Sequence, residues 1–256
     1  MKKIDYDSFL ARIYDDSPSF GKVKINNLER MNAFYMEGAK LCEGPVLEFG
    51  TATGMLTIQL AREGYKVHSV DISPYMHEVV REKIEKEEKH VSDNITLILG
   101  DALEYRHSEL YNMIAIPDGL FLAIADQEQQ LTLLHNCNRN LNKGGRLYLD
   151  IFQPMEKIIY DRKLSECTRF RTKNGELYLM TTNYTVDPYP QIQYCNFVYA
   201  KMNKGKAIEE FKVNIVYRYV YHSELELMLK HCGFKVIEID TAYIDNRGFA
   251  VIAEKI

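Results

Sequence analysis

The stretch VLEFGTATGMLTIQLAREGYKVHSVD, residues 46–71, constrains the fold more than any other part of the chain. An apolar run stops at Glu48 and two glycines, Gly50 and Gly54. An amphipathic segment follows, and a second apolar run stops at Asp71. Short apolar run, helical period and short apolar run together make a β-α-β unit, which implies parallel strands joined by a right-handed crossover. In open sheets of this kind, ligands collect at the carboxyl ends of the strands.

The same rhythm continues to residue 153. After a strand over YKVHSVD, Ser73-Pro74 opens a helix with a cap residue and proline at the first helical position. Strands NITLIL and YNMIAI end at Gly100-Asp101 and Pro117. Asp126, with Gln129 three residues on, caps a helix that leads to the strand KGGRLYLDIF. The pattern then changes: residues 165–220 alternate apolar and polar side chains, with turns at Asn174-Gly175, Asp187-Pro188 and Asn203-Lys204-Gly205, as an antiparallel meander does. Ser223 and Glu226 read as a capping box for a helix ending at Gly233. The last two strands, FKVIEID and GFAVIAEK, are joined by a loop around Asp245-Asn246 that is too short to cross over, so they should run antiparallel.

Before the first strand, Tyr6, Phe9 and Ile13 mark one amphipathic helix, and Leu28, Met31, Phe34, Tyr35 and Ala39 mark a second; both are expected as a cap beside the sheet. The expected fold is α/β: a Rossmann-like, seven-stranded, mostly parallel sheet with an antiparallel last strand, an N-terminal helical cap and an inserted antiparallel β-meander. The expected division is a cap at 1–44, a core at 45–153 and 221–256, and an insertion at 154–220 that covers substrate or contacts a second copy. The exposed edges of the meander would allow a homodimer.

Composition narrows the partners. With a formal charge of −4 and no lysine-arginine block, no nucleic acid is expected. No segment reaches the roughly 20 apolar residues of a membrane helix, and the start MKKIDYDSFL lacks the apolar run of a signal peptide, so a soluble, cytoplasmic protein is expected. The five cysteines contain no CxxC pair and the seven histidines no paired spacing, so no metal site is expected.

Strand-end residues carry the chemistry. Glycines at 50 and 54 would let the backbone turn and a ligand approach. Asp71 is placed to accept from both ribose hydroxyls, and Asp101, one strand over, from an exocyclic adenine amine. A dinucleotide needs G-x-G-x-x-G around its pyrophosphate. The order is instead Gly50, Ala52, Gly54, with Met55 where the third glycine would fall and with Glu48, which would repel phosphate, ahead of the loop. An adenosine ligand with a positive charge and no phosphate fits better.

VLEFGTATG, HSVDIS, LILGDALEY and LNKGGRLYLDI, taken in order, resemble the motifs of class I S-adenosylmethionine-dependent methyltransferases over residues 46–152, and SELELMLKHCGFKVIEID resembles that family's closing helix and sixth strand. The resemblance implies S-adenosyl-L-methionine as cofactor and S-adenosyl-L-homocysteine as product. It implies that Gly50, Ala52 and Gly54, with Glu48 and Thr51, line the methionine part. It further implies that Asp71 holds the ribose, that Ile72 with Met76 packs on the adenine, and that Gly100, Asp101 and the Ala102 amide read the adenine edge, with Pro117 closing the site. Two departures stand out, Ala52 for a glycine and Asn112 for an acid.

The cap helices and the meander resemble small-molecule methyltransferases, of the amino-sugar N-methyltransferase and glycine N-methyltransferase layouts. There the opening helix carries a Tyr-Asp pair, matched by Tyr14-Asp15, with the tyrosine against cofactor or acceptor. Ala123 stands near the place of the histidine that amino-sugar enzymes carry after the fourth strand. The implied reaction moves a methyl group to nitrogen or oxygen of a small metabolite, such as a sugar or amino compound. Asp118 and Tyr14 are the catalytic candidates, with Phe121 and His222 against the acceptor and His222 a further candidate base. A base is needed only if the acceptor arrives protonated. A non-catalytic binding module on the same fold is the alternative.

Overall fold

The computed structural model describes residues 8–20, 25–243 and 248–256, with the backbone alone over 25–30. Tyr6, Leu28 and the loop at Asp245-Asn246 therefore lie outside what is described. Two helices, α1 (Ser8–Ile13) and α2 (Ile25–Cys42), precede β1 (Val46–Phe49). The alternating part runs through α3 (Met55–Arg62), β2 (Val67–Asp71), α4 (Pro74–Ile84), α5 (Lys89–Ser92), β3 (Ile95–Leu99), β4 (Tyr111–Ile116), α6 (Leu120–Ala123), α7 (Gln127–Asn140) and β5 (Leu141–Phe152). After α8 (Glu156–Asp161) come the meander strands β6 (Lys163–Arg171), β7 (Leu177–Asp187), β8 (Ile192–Asn203) and β9 (Lys206–Arg218). Then α9 (His222–His231), β10 (Phe234–Asp240) and β11 (Gly248–Lys255) close the chain.

Seven strands form one sheet in the order β10-β11-β5-β4-β1-β2-β3. β1 pairs in parallel with both β2 and β4, and β11 runs antiparallel to both β5 and β10. Strand order reverses at β1, so the crevice outside the carboxyl ends of β1 and β4 is the place where a ligand is expected. Gly50 leaves β1 there and Pro117, Asp118 and Gly119 leave β4.

Alternation along the strands builds a core on each face. Leu47, Phe49, Ile114, Ile116, Leu147 and Leu149 pack with Leu133, Leu134 and Cys137 of α7 and Leu225 and Leu229 of α9. Val46, Met113 and Tyr148 pack on the other face with Met31, Tyr35 and Ala39 of α2 and Leu56 and Leu60 of α3.

The four meander strands form a second antiparallel sheet, β6-β7-β8-β9. Its inner face, with Tyr178, Met180, Phe197, Tyr199 and Val213, closes on Phe9, Leu10, Ile13 and Phe20. Phe9 stacks on Phe211 with ring centroids 3.8 Å apart. The two cap helices thus part company: α2 lies against the main sheet, while α1 shares a core with the insertion. Apolar periodicity shows that a helix needs a partner but not which one.

Local signals differ from the outcome in two places. α9 begins at His222 with Tyr221 as its N-cap, so Ser223 sits inside the helix and caps nothing. The helix opened by Ser73-Pro74 ends at Ile84, inside the charged stretch REKIEKEEK, and a separate short α5 follows. The caps at Ser73 and Asp126 do form, with Ser73 Oγ accepting from the Met76 amide and Asp126 Oδ1 from that of Gln129.

Candidate active site

Glu48 lies on β1 with 1% of its surface exposed, facing the core side of α3. A carboxylate in that position needs donors, and the sequence supplies hydroxyls: Ser69 Oγ donates at 2.6 Å and Thr57 Oγ1 at 2.5 Å. Thr51 Oγ1 joins the group 2.7 Å from Ser69 Oγ. Burial pushes the Glu48 carboxyl up to about 7, against the opposing pull of these hydroxyls. Glu48 and Thr51 therefore brace the glycine loop from beneath. Burial therefore weakens the charge with which Glu48 was expected to repel phosphate.

The glycines also act differently than expected. A Cβ at Gly50 would lie 3.1 Å from Leu120, and one at Gly54 would lie 2.9 Å from Val80. Both have left-handed backbones, with φ of 86° and 77°. They let the loop turn and seat on α6 and α4, so their missing side chains make room for protein. Ala52, between them, is also left-handed at φ 45°. The cost of the departure from glycine is backbone strain.

Asp71 ends β2 and ties two loops: its Oδ2 accepts from the Ala52 amide and its Oδ1 from the Ser73 amide, each at 2.8 Å. Burial raises its carboxyl above the ordinary aspartate value, opposed by those amides. The Ile72 amide bonds the same carboxylate, and the acceptor capacity left beyond these three amides is what a ligand's hydroxyl would meet. Ile72 beside it is 57% exposed, an aliphatic side chain in the open between two carboxylates. Across from it Asp101 follows β3, its Oδ1 held by the Leu103 amide at 2.8 Å. An adenosine fits this arrangement: hydroxyl acceptor, open apolar face, amine acceptor in sequence. Met76, by contrast, is 1% exposed and packs under α1 among the meander side chains, so it lends no surface to an adenine.

The crevice's other wall is the loop after β4. Asp118 and Gly119 are both left-handed, at φ 52° and 75°. The Asp118 amide donates to Asp150 Oδ1 at 2.9 Å, and the same oxygen accepts from the buried Tyr35 hydroxyl at 2.5 Å, whose single hydrogen is shared with the Ile116 carbonyl 2.9 Å away. Burial, then Asp150, holds the Tyr35 phenol protonated far above its ordinary range. A Cβ at Gly119 would fall 2.4 Å from the Phe152 ring, so only glycine allows β5 to approach. The Tyr14 hydroxyl reaches Asp118 Oδ2 at 3.4 Å, and its ring stacks on Phe20 at 5.0 Å. The structure brings the two catalytic candidates together across 104 positions.

It does not bring the acceptor candidates to them. Phe121 is fully buried in the main core, because α6 turns that face toward α7 and the sheet. His222 is exposed at the start of α9, its ring 6.4 Å from Phe249 on β11, and β11 stands two strands away from β4. Ala123 is buried. Asn112 bonds the Glu43 carbonyl and Asn142 at the amino end of β4, a structural position.

Sequence reasoning missed Thr53, Lys83, Asp150 and the role of Tyr35, and it named Asp15 only as the neighbour of Tyr14. One signal was available: Asp150 in LYLDIF and Glu48 in VLEF are both acids inside otherwise apolar strands, where a charge must have a purpose. No group of three or more histidine, cysteine or acidic residues able to hold a metal occurs among the described residues. Nor is any of their helices long and apolar enough to cross a membrane.

Comparison with known proteins agrees with this geometry. Residues 46–145 match the family described as "Methyltransferase domain". The chain is 23% identical over 198 residues to a Streptomyces cypemycin N-terminal methyltransferase, covering 77% of this chain and 75% of that one. Among solved structures, the CcbJ methyltransferase of Streptomyces caelestis superposes with a TM-score of 0.76 at 19% identity, covering 96% of both chains. CalS10 of Micromonospora echinaspora, an amino pentose methyltransferase solved with S-adenosylmethionine bound, gives 0.71 at 13% identity, covering 92% of this chain and 93% of that one.

Proposed function

We propose, from the premise that this chain is a class I S-adenosylmethionine-dependent methyltransferase, that it methylates an amine nitrogen on a small metabolite. The observation that carries the choice of nitrogen is the pairing of Tyr14 with Asp118 at the carboxyl end of β4. A carboxylate there attracts an ammonium, orients it, and takes its proton so that the lone pair is free. An alcohol carries no charge for the carboxylate to attract, and a carboxylate is too weak a base to ionise it. Two similar proteins, one named a cypemycin N-terminal methyltransferase and one an amino pentose methyltransferase, lend support.

The cofactor supplies a methyl group already activated on a sulfonium, so the chain's residues mainly align the acceptor and keep water out. In this reading Asp71 accepts from the ribose hydroxyls and Ile72 covers one face of the adenine. Asp101 and the Ala102 amide take its edge, Gly100 and Pro117 flank it, and the backbone of Gly50 through Gly54 holds the methionine part. Tyr14, only 5% exposed, closes the acceptor side.

The test is transfer of isotopically labelled methyl to matched pairs of small sugars and amino acids, each pair differing only in an amine or a hydroxyl at one position. Label on the amine member is expected. Label confined to the hydroxyl members would refute the nitrogen assignment.

A further inference from the structure

Four consecutive residues of the cap, Tyr14-Asp15-Asp16-Ser17, tie it to the loop after β4, the glycine loop, α4 and the meander, and Asp15 Oδ2 also lies 4.0 Å from Lys173 Nζ of the meander. Tyr14 reaches Asp118 after β4. Asp15 accepts from Thr53 Oγ1 through Oδ1 and pairs through Oδ2 with Lys83 Nζ at 2.6 Å. Asp16 Oδ2 accepts from the Lys173 amide at 2.8 Å, in the turn between β6 and β7. Ser17 Oγ lies 3.1 Å from the Tyr199 hydroxyl of β8.

The second of these contacts is a closed triangle. Lys83 Nζ also donates to the Thr53 carbonyl at 2.7 Å, so cap, glycine loop and α4 meet at one point. Thr53 is fully buried between Ala52 and Gly54, and the side chains of Lys83 and Asp15 are 27% and 22% exposed. A lysine held by a backbone carbonyl and a carboxylate has little freedom, and the loop it holds is the one that carries the cofactor's methionine part in the reading above, on which the inference rests.

We propose that Asp15 and Lys83 are positioning residues that couple cofactor binding at the glycine loop to the placement of Tyr14 over Asp118. A ligand that orders Thr53 sets the Asp15 anchor, and Asp15 sets its neighbour Tyr14. The same rigid turn carries the effect to the meander through Asp16 and Ser17. Coupling of this kind is reciprocal, so a well-seated cap must also favour the cofactor.

The experiment is hydrogen exchange read by mass spectrometry, with and without S-adenosylhomocysteine, on the unmutated protein and on Lys83→Met, Lys83→Arg and Asp15→Asn. In the unmutated protein the product is expected to slow exchange at 50–54 and at 8–20. In Lys83→Met and Asp15→Asn the protection at 50–54 should remain while that at 8–20 is lost, and Lys83→Arg should restore it. Methyl transfer should show the matching split, with kcat falling about fivefold or more and the KM for S-adenosylmethionine changing less. Equal protection of 8–20 in Lys83→Met and the unmutated protein would overturn the proposal, as would protection confined to 50–54 in the unmutated protein. Protection nowhere would instead sink the cofactor reading, and this inference with it.

Discussion

The Tyr14 hydroxyl stands 3.4 Å from Asp118 Oδ2, joining the turn after α1 to the loop after β4. A bond of that length is long for O–H···O, so the tyrosine contributes modestly and the carboxylate carries the chemistry. Asp118→Asn should lower kcat/KM on an amine acceptor by about 100-fold, the lower range for loss of a general base. Tyr14→Phe should lower it by roughly fivefold, the worth of one ordinary hydrogen bond. Calorimetric affinity for S-adenosylhomocysteine should stay within about twofold in Asp118→Asn. A fall there equal to the fall in activity would move Asp118 into the cofactor site.

Glu48 predicts a pH dependence of stability. Its folded carboxyl titrates at about 7, raised by burial, and its unfolded one near the ordinary glutamate value. The folded state therefore binds the proton more tightly. This contribution is fully present below the unfolded value and is lost as pH rises through about 7. Glu48→Gln keeps an acceptor for the Ser69 and Thr57 hydroxyls and removes the titration. Thermal unfolding from pH 5 to 8 should show the unmutated protein losing stability relative to the variant, by about 3 kcal/mol at most. Parallel pH profiles would show that the carboxylate is ionised throughout.

Ala52 holds a left-handed backbone at φ 45°, which costs an L-residue about 1–2 kcal/mol relative to glycine. Glycine in turn gives the unfolded chain about 0.4–1 kcal/mol more entropy. Strain is the larger of the two effects, so Ala52→Gly should raise the unfolding midpoint by about 2 °C. A lower midpoint would mean that the Ala52 methyl makes contacts worth more than the strain.

Much of this architecture is legible in the sequence, and the parts that are not share a cause. The β-α-β rhythm, the meander turns and the caps at Ser73 and Asp126 are local signals, fixed by neighbours a few residues away. Asp71 and Asp101 are found because a strand end places them. What escapes is which surface a helix covers: α1 and α2 have similar periodicity, yet one packs on the insertion and the other on the main sheet. The same blindness hides what Asp15 binds, since its partners Thr53 and Lys83 lie 38 and 68 positions away and form no pattern along the chain. Phe121, Met76 and Glu48 show the converse error. Each stands near a strand end by number, but burial depends on the direction of the side chain, and each points into packed protein.

Asp71 carries the central claim, that this crevice holds S-adenosylmethionine. Its remaining acceptor capacity is assigned to the ribose, and a hydrogen bond to a charged group contributes about 1.5–3 kcal/mol. Calorimetric titration of S-adenosylhomocysteine into the unmutated protein and into Asp71→Ala tests the claim most directly. The account predicts one product molecule bound per chain and a loss of at least about tenfold in affinity in the variant. No heat of binding in the unmutated protein, or equal affinity in the two, would contradict it.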